Sequence, residues 1–394
     1  MAIILYEGFN YSNSDVVKID PNYWTTNNSS SISYSTGRTN NQIVIANHDP
    51  ANAGLLNYNT LTLSNFSDPL LTNNGFAFGF SVSMLRSAIS GTSSPFRNPY
   101  IEFKDDSNNT VLKFNLITTT YSGATSLGLE VEQGGAVITV YDFSSYVGRS
   151  WTVTTSPLIN ELLYLEFFID AKDQNKMSIR VSEDGGTIHG YLLNSNNTQE
   201  TSISGFSSLG SVTWFSSNSR SYGNTTLDDL YFSKGDTEEE CYLGSSTRIH
   251  RLTLSAAGSK TEWTTNNVNS QYLNLNNNDG DANYAYASLS QSGLVSTYAM
   301  SNIPSVPSGD LSIIVKPINI VRKTSTTNNA KFINVMNNNG GAEVDLGSEY
   351  TVTSTNYSHT NSDYIITNPI TGNPWTVNDI DNMQIGIKNL GVAS

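Results

Sequence analysis

Residues 75–84 read GFAFGFSVSM, and their pattern decides the fold class. Phe76, Phe78, Phe80, Val82 and Met84 alternate with Ala77, Gly79, Ser81 and Ser83. A period of two puts successive side chains on opposite sides of an extended chain, so the segment is a strand with one apolar face and one small, polar face. The same period recurs on either side. Ile101 and Phe103 pass through Asp105, Asp106, Ser107, Asn108 and Asn109 to Leu112, Phe114 and Leu116. Strand, polar turn and strand make a hairpin. Leu127, Leu129 and Val131 form a face opposite Glu130 and Glu132. Further on, residues 163–170 (LYLEFFID) lead through 171–176 into MSIRVSED, where Met177, Ile179 and Val181 oppose Ser178, Arg180 and Ser182. No segment carries a long helical period. The expectation is an all-β chain.

Composition bounds what such a chain does. Its 394 residues suffice for two or three domains with cores of their own. Charged residues make up only 14 %, a polar composition that would suit disorder were aromatics scarce; 21 Tyr and 15 Phe supply ample apolar area instead. The net charge of −14, with no Lys/Arg cluster to offset it, repels phosphate backbones and argues against nucleic acid as a partner. Cys241 is the single cysteine, so no intrachain disulfide forms. The opening MAIILYEGFN has no basic residue ahead of a short apolar run ended by Glu7, and reads as a first strand rather than a signal peptide. The longest apolar run, LLYLEFFI, is interrupted by Glu166, so no membrane insertion is expected.

Two family resemblances follow from particular residues. Glu7, Gly8 and Phe9, then Trp24, the Phe-rich strand, the hairpins, and Leu227-Asp228-Asp229-Leu230-Tyr231-Phe232 occur in an order that resembles the concanavalin A-like or laminin-G-like jelly-roll sandwich. The likeness covers about residues 1–235. Residues 233–240, SKGDTEEE, form a charged break in a charge-poor chain. Beyond it, Arg248, Leu252, Gly258, Glu262, Trp263 and Thr264, and later Asn368, Pro369, Thr371, Gly372, Trp375 and Thr376, resemble the β-rich C-terminal module of tailed-phage virion proteins. That module has a proline where this chain has Leu254 or Ser255. Thr376 followed by Asp379 is a capping-box start for a short helix carrying Ile380 and Met383.

The expectation is therefore two β-sandwich, jelly-roll-like domains joined by a short acidic linker: 1–235 a concanavalin A-like sandwich, 236–243 the linker, and 244–394 the virion-type sandwich with its helix. The resemblance implies a non-enzymatic virion structural protein. It would be a tail or baseplate accessory or particle-surface protein, made in the host cytoplasm without a signal peptide. Its partners would be other virion proteins, further copies of itself and host surface glycan. Capsid decoration, a carbohydrate-binding adhesin and a glycan depolymerase are the alternatives.

Individual residues give candidate sites. Trp24, with Tyr23 and Asn27, suits stacking on and hydrogen bonding to a sugar; Trp24 is equally suited to the core. Glu130 and Glu132, two apart on a strand, share a face and so offer paired carboxylates. One jelly-roll glycosidase family needs a third acid where this chain has Gly135, which argues against catalysis. Asp105, Asp106 and Asn108 offer oxygens to Ca2+, and are also the residues a hairpin turn selects. Residues 274–284 (NLNNNDGDANY) lack the glycine and the glutamate of an EF-hand loop. His48, His189, His250 and His359 are scattered, without the spacing of a zinc site. No cofactor other than a calcium ion is implied.

Overall fold

The computed structural model describes residues 2–7, 24–26, 32–36, 41–45, 59–64, 75–82, 97–121, 124–143, 163–170, 175–183, 189–204, 209–216, 225–235, 237–243, 248–250, 252–265, 284–303, 312–356, 358–360 and 364–393. The chain divides into two compact units, Met1–Ile249 and His250–Ser394. Both are built almost wholly from antiparallel strands.

In the first unit the strands are β1 (Ala2–Glu7), β2 (Trp24–Thr26), β3 (Ile32–Thr36), β4 (Asn41–Ile45), β5 (Thr60–Ser64), β6 (Gly75–Val82), β7 (Arg97–Lys104), β8 (Thr110–Tyr121) and β9 (Ala124–Gln133). They continue as β10 (Ala136–Asp142), β11 (Leu163–Asp170), β12 (Lys176–Glu183), β13 (His189–Tyr191), β14 (Leu193–Asn194), β15 (Glu200–Ser202), β16 (Ser211–Phe215) and β17 (Thr225–Gly235). One sheet runs β13-β12-β11-β6-β17-β4-β3, with β1 added on β17 and β15 on β12. The other runs β14-β10-β9-β8-β7-β16-β5-β2.

The core lies between these sheets, filled by the apolar halves of the period-two strands. Phe78 of β6 stacks on Phe167 of β11 with centroids 4.5 Å apart, and Phe103 of β7 meets it edge-on at 5.0 Å. Phe114 of β8 meets Phe167 edge-on at 5.2 Å. Rings from both sheets interdigitate, which is what makes the unit a sandwich.

The small face of β6 is buried as well, because a second layer covers it. Residues 238–241 form a short helix, α1 (Glu238–Cys241). Cys241 and Tyr242 pack with Ala77, Tyr164, Phe168 and Tyr231 on the outside of the sheet. Ser233 Oγ donates to the Cys241 carbonyl at 2.5 Å. A methyl group on Gly75 would meet the Phe168 ring at 2.8 Å, so β6 must be small where its neighbours' rings cross it. Residues 237–243, read from the sequence within an acidic linker, thus belong to the first unit: the glutamates begin the segment, and the apolar residues after them fill the sheet's outer face. The Asp228-Asp229 pair has a backbone reason. Strand β17 slips register against β6 between Asp228 and Tyr231, and Asp229 adopts φ +47°, which Asp tolerates. The carboxylate of Asp229 accepts from Ile249 N at 2.9 Å and its carbonyl from Tyr164 Oη at 3.0 Å.

The second unit contains β18 (Leu254–Thr261), β19 (Thr264–Thr265), β20 (Ala285–Tyr286), β21 (Val295–Met300), β22 (Ile320–Val321), β23 (Ala330–Asn338), β24 (Val344–Val352), β25 (Ser358–His359), α2 (Val377–Asn382) and β26 (Met383–Val392). Its main sheet runs β18-β21-β26-β23-β24. Met336, Leu346, Trp375, Ile380 and Met383 form its largest buried cluster. The motif residues hold this core together. Asn368, 1 % exposed, accepts from Ile370 N at 2.9 Å through its side chain and from Gly372 N at 2.8 Å through its carbonyl. Gly372 takes φ +71°, a conformation glycine adopts without strain. Trp375 is buried and donates from Nε1 to the Ile365 carbonyl at 2.9 Å. Thr376 and Asp379 then close a reciprocal capping box at the start of α2, as the sequence predicts. Earlier, the Glu262 carboxylate accepts from Val295 N at 2.8 Å and Trp263 N donates to Ser296 Oγ at 2.8 Å.

Candidate carbohydrate-contact face

The outward face of the eight-stranded sheet gathers the polar side chains of three neighbouring strands, β7, β8 and β9. The register sets the rows. Glu102 of β7 pairs with Lys113 of β8, which pairs with Glu132 of β9. One step along, Asn115 of β8 pairs with Glu130 of β9, which pairs with Val140 of β10. The alternation responsible is simple: Leu112, Phe114, Leu129 and Val131 point into the core, so Lys113, Asn115, Glu130 and Glu132 point away from it.

Two carboxylates on one face repel each other, and two side chains relieve that. Asn115 Nδ2 donates to Glu130 Oε1 at 3.1 Å and to Glu132 Oε1 at 2.6 Å. The Arg97 guanidinium donates to both glutamates, from Nε to Glu130 and from Nη2 to Glu132. The glutamate side chains are 14 % and 13 % exposed beneath a half-exposed Arg97. Asn115 is 2 % exposed. Glu102 is committed elsewhere: it accepts from Thr110 Oγ1 at 2.6 Å and faces Lys104 Nζ at 3.7 Å.

Chemically this is one acceptor surface with a cation at its rim. Retaining glycosidases set two carboxyl groups about 5–5.5 Å apart across the scissile bond, one of them as proton donor. Glu130 and Glu132 sit on one strand, bridged by one amide and one guanidinium that donate to their Oε1 atoms.

The residues named from the sequence are distributed as follows. Trp24 is 5 % exposed and packs on Trp214 with centroids 5.9 Å apart. Its ring is part of the core and offers no stacking platform, which corrects the sugar-binding expectation at this position; a large ring on the inward side of β2 has more apolar area to bury than to display. Tyr23 and Asn27 lie outside the described residues. Both oxygens of Asp105 are taken by Asn109, from N at 2.7 Å and Nδ2 at 3.0 Å, and Asn108 adopts φ +65°. These bonds hold the Asp105 carboxyl below the ordinary carboxylate value. Asp105 and Asn108 therefore make the β7–β8 turn, and the exposed Asp106 is carried on it. Among the described residues no group of three or more His, Cys, Asp or Glu side chains is placed to hold a metal ion. Residues 274–283 lie outside the described set.

Sequence reasoning found Glu130 and Glu132 but not Arg97, Asn115 or Lys113. The signal for the last two was present: they are the polar residues alternating with Leu112, Phe114 and Leu116. Arg97, far off in sequence, gave none.

No protein-family model matches the sequence, and no curated protein does. Solved structures similar in fold include the catalytic domain of a glycoside hydrolase family 131 protein from Coprinopsis cinerea, 11 % identical over 60 % of this chain and 96 % of that one, with a TM-score of 0.37. Another is an endo-1,3-beta-glucanase from Streptomyces sioyaensis, 8 % identical over 60 % and 97 %, TM-score 0.38. A third is lectin I-B4 from Griffonia simplicifolia, 9 % identical over 54 % and 99 %, TM-score 0.28. The likeness concerns strand arrangement and transfers no activity to this chain.

Proposed function

We propose that this chain is a non-enzymatic structural protein of a tailed-phage particle, present in many copies beside other virion proteins, whose first unit contacts surface glycan. The observation that carries the glycan contact is the joining of Glu130 and Glu132 into one acceptor surface by Asn115 and Arg97. Sugars present adjacent hydroxyls, and paired carboxylate and amide groups bind them from a fixed position at little ordering cost. The virion assignment is supported by the resemblance of residues 241–267 and 368–376 to a phage module. Asn368, Gly372, Trp375 and Thr376 have folding roles here, so that resemblance concerns a structural unit rather than a catalytic one.

A shallow site of this kind binds with about 4 kcal/mol, on the order of millimolar affinity. Display in many copies raises that by roughly two to four orders of magnitude. The full chain tethered on a multivalent carrier should therefore give signal on a glycan array where the monomer gives almost none. Glu130→Gln/Glu132→Gln should abolish that signal while leaving the circular dichroism spectrum unchanged. An unaltered array signal from the double variant would refute the assigned face. Absence of the chain from purified particles by mass spectrometry would refute the virion assignment.

A further inference from the structure

Lys113 stands apart from every other basic side chain among the described residues. Arg97, Lys104, Lys176, Arg180, Lys260, Lys331 and Lys388 each pair with a carboxylate. Lys323 donates to Asn329 Oδ1 at 2.7 Å, Lys316 lies over the Tyr364 ring, and Lys234, Arg248 and Arg322 have partners too. Lys113 alone has neither ion pair, hydrogen bond nor ring contact. Its position makes this informative. Strand β8 is fourth of eight in its sheet, and Lys113 lies in register between two glutamates, Glu102 and Glu132. Neither pairs with it: Glu102 accepts from Thr110 and faces Lys104, and Glu132 accepts from Arg97 and Asn115. A half-buried lysine has thus been left without an ion pair at the centre of the candidate face, in a chain whose net charge is −14.

We infer that the ligand of this face is an anionic glycan, its carboxylate or sulfate taken by Lys113 and its hydroxyls by Glu130 and Glu132. This rests on the glycan reading above and narrows it. A neutral sugar would cover the ammonium without supplying a counter-charge, which costs free energy. A cationic sugar would meet Lys113 and Arg97 directly. An anionic group supplies the missing charge and makes a charge-assisted bond, the stronger kind.

The test uses the full chain on a multivalent carrier with three probes: an oligogalacturonate, the same oligosaccharide with its carboxylates methyl-esterified, and a sulfated oligogalactan. Esterification removes charge and keeps shape. The acid should bind about tenfold better than its ester, the scale of one charge-assisted contact. Lys113→Met should erase that preference, and Lys113→Arg should keep it. Lys331→Met, an equal change of net charge in the second unit, should have no effect. A preference for the sulfated probe over the acid would identify sulfate as the group taken. Equal binding of acid and ester, or a preference that survives Lys113→Met, would overturn the inference with the glycan reading intact. No binding of any probe would overturn both.

Discussion

Arg180 donates twice to a single oxygen of Glu166, from Nε at 2.9 Å and Nη2 at 2.6 Å, across the paired strands β11 and β12. The other carboxylate oxygen accepts from Tyr231 Oη at 2.6 Å. Glu166 is fully buried, and the Tyr242 ring closes over the guanidinium at 4.1 Å. This pair lies beneath the layer that residues 238–242 add to the outside of the sheet.

Because the carboxylate cannot reach water, removing only its partner is the damaging change. Arg180→Met should cost about 3–5 kcal/mol in urea unfolding of the full chain. Replacing both, as Glu166→Leu/Arg180→Met, should restore most of that, since an apolar pair of similar volume needs no counter-charge. A single variant that loses less than roughly 1 kcal/mol would mean that the carboxylate is solvated after all.

Trp24 should behave as a core residue in every assay. Trp24→Ala removes a ring packed on Trp214 and should destabilise the first unit by about 3–5 kcal/mol, read from the shift in the unfolding midpoint. Glycan-array signal per folded molecule should not change. Lost signal with unaltered stability would return this side chain to the ligand face.

The β7–β8 turn should weaken in acid, and the sign follows from Asp105. Its folded value lies below the ordinary 3.8, chiefly through the side-chain bond from Asn109 and then the backbone bond from the same residue. A carboxyl lowered on folding adds stability above its unfolded value, and that contribution is lost as pH falls through the folded one. Asp105→Asn should therefore differ from the parent at neutral pH and converge with it in strong acid. Thermal unfolding of both proteins across that range checks this; a constant difference at all pH values would mean that the charge is immaterial to the turn.

Much of the fold was legible because period two is a local signal. The alternation of Phe76, Phe78 and Phe80, and of Leu112, Phe114 and Leu116, reports burial without knowledge of the partner strand. The Thr376–Asp379 capping box is likewise complete within four residues. The candidate face was half legible: Glu130 and Glu132 share a strand, whereas Arg97 lies 33 and 35 residues from them, two strands away.

What the sequence determined by itself was the class of structure, the period-two strands, the turn at 105–109 and the capping box at Thr376 and Asp379, since these depend on backbone preferences and on which side each residue faces. Only the tertiary structure decided what lies against those sides. It put Trp24 in the core and folded residues 238–242 onto a sheet rather than leaving them as a linker. It spent both neighbouring glutamates on other partners and so left Lys113 free. The physical reason is common to all three: burial and charge pairing depend on distances between residues remote in the chain, and pairing of strands sets those distances.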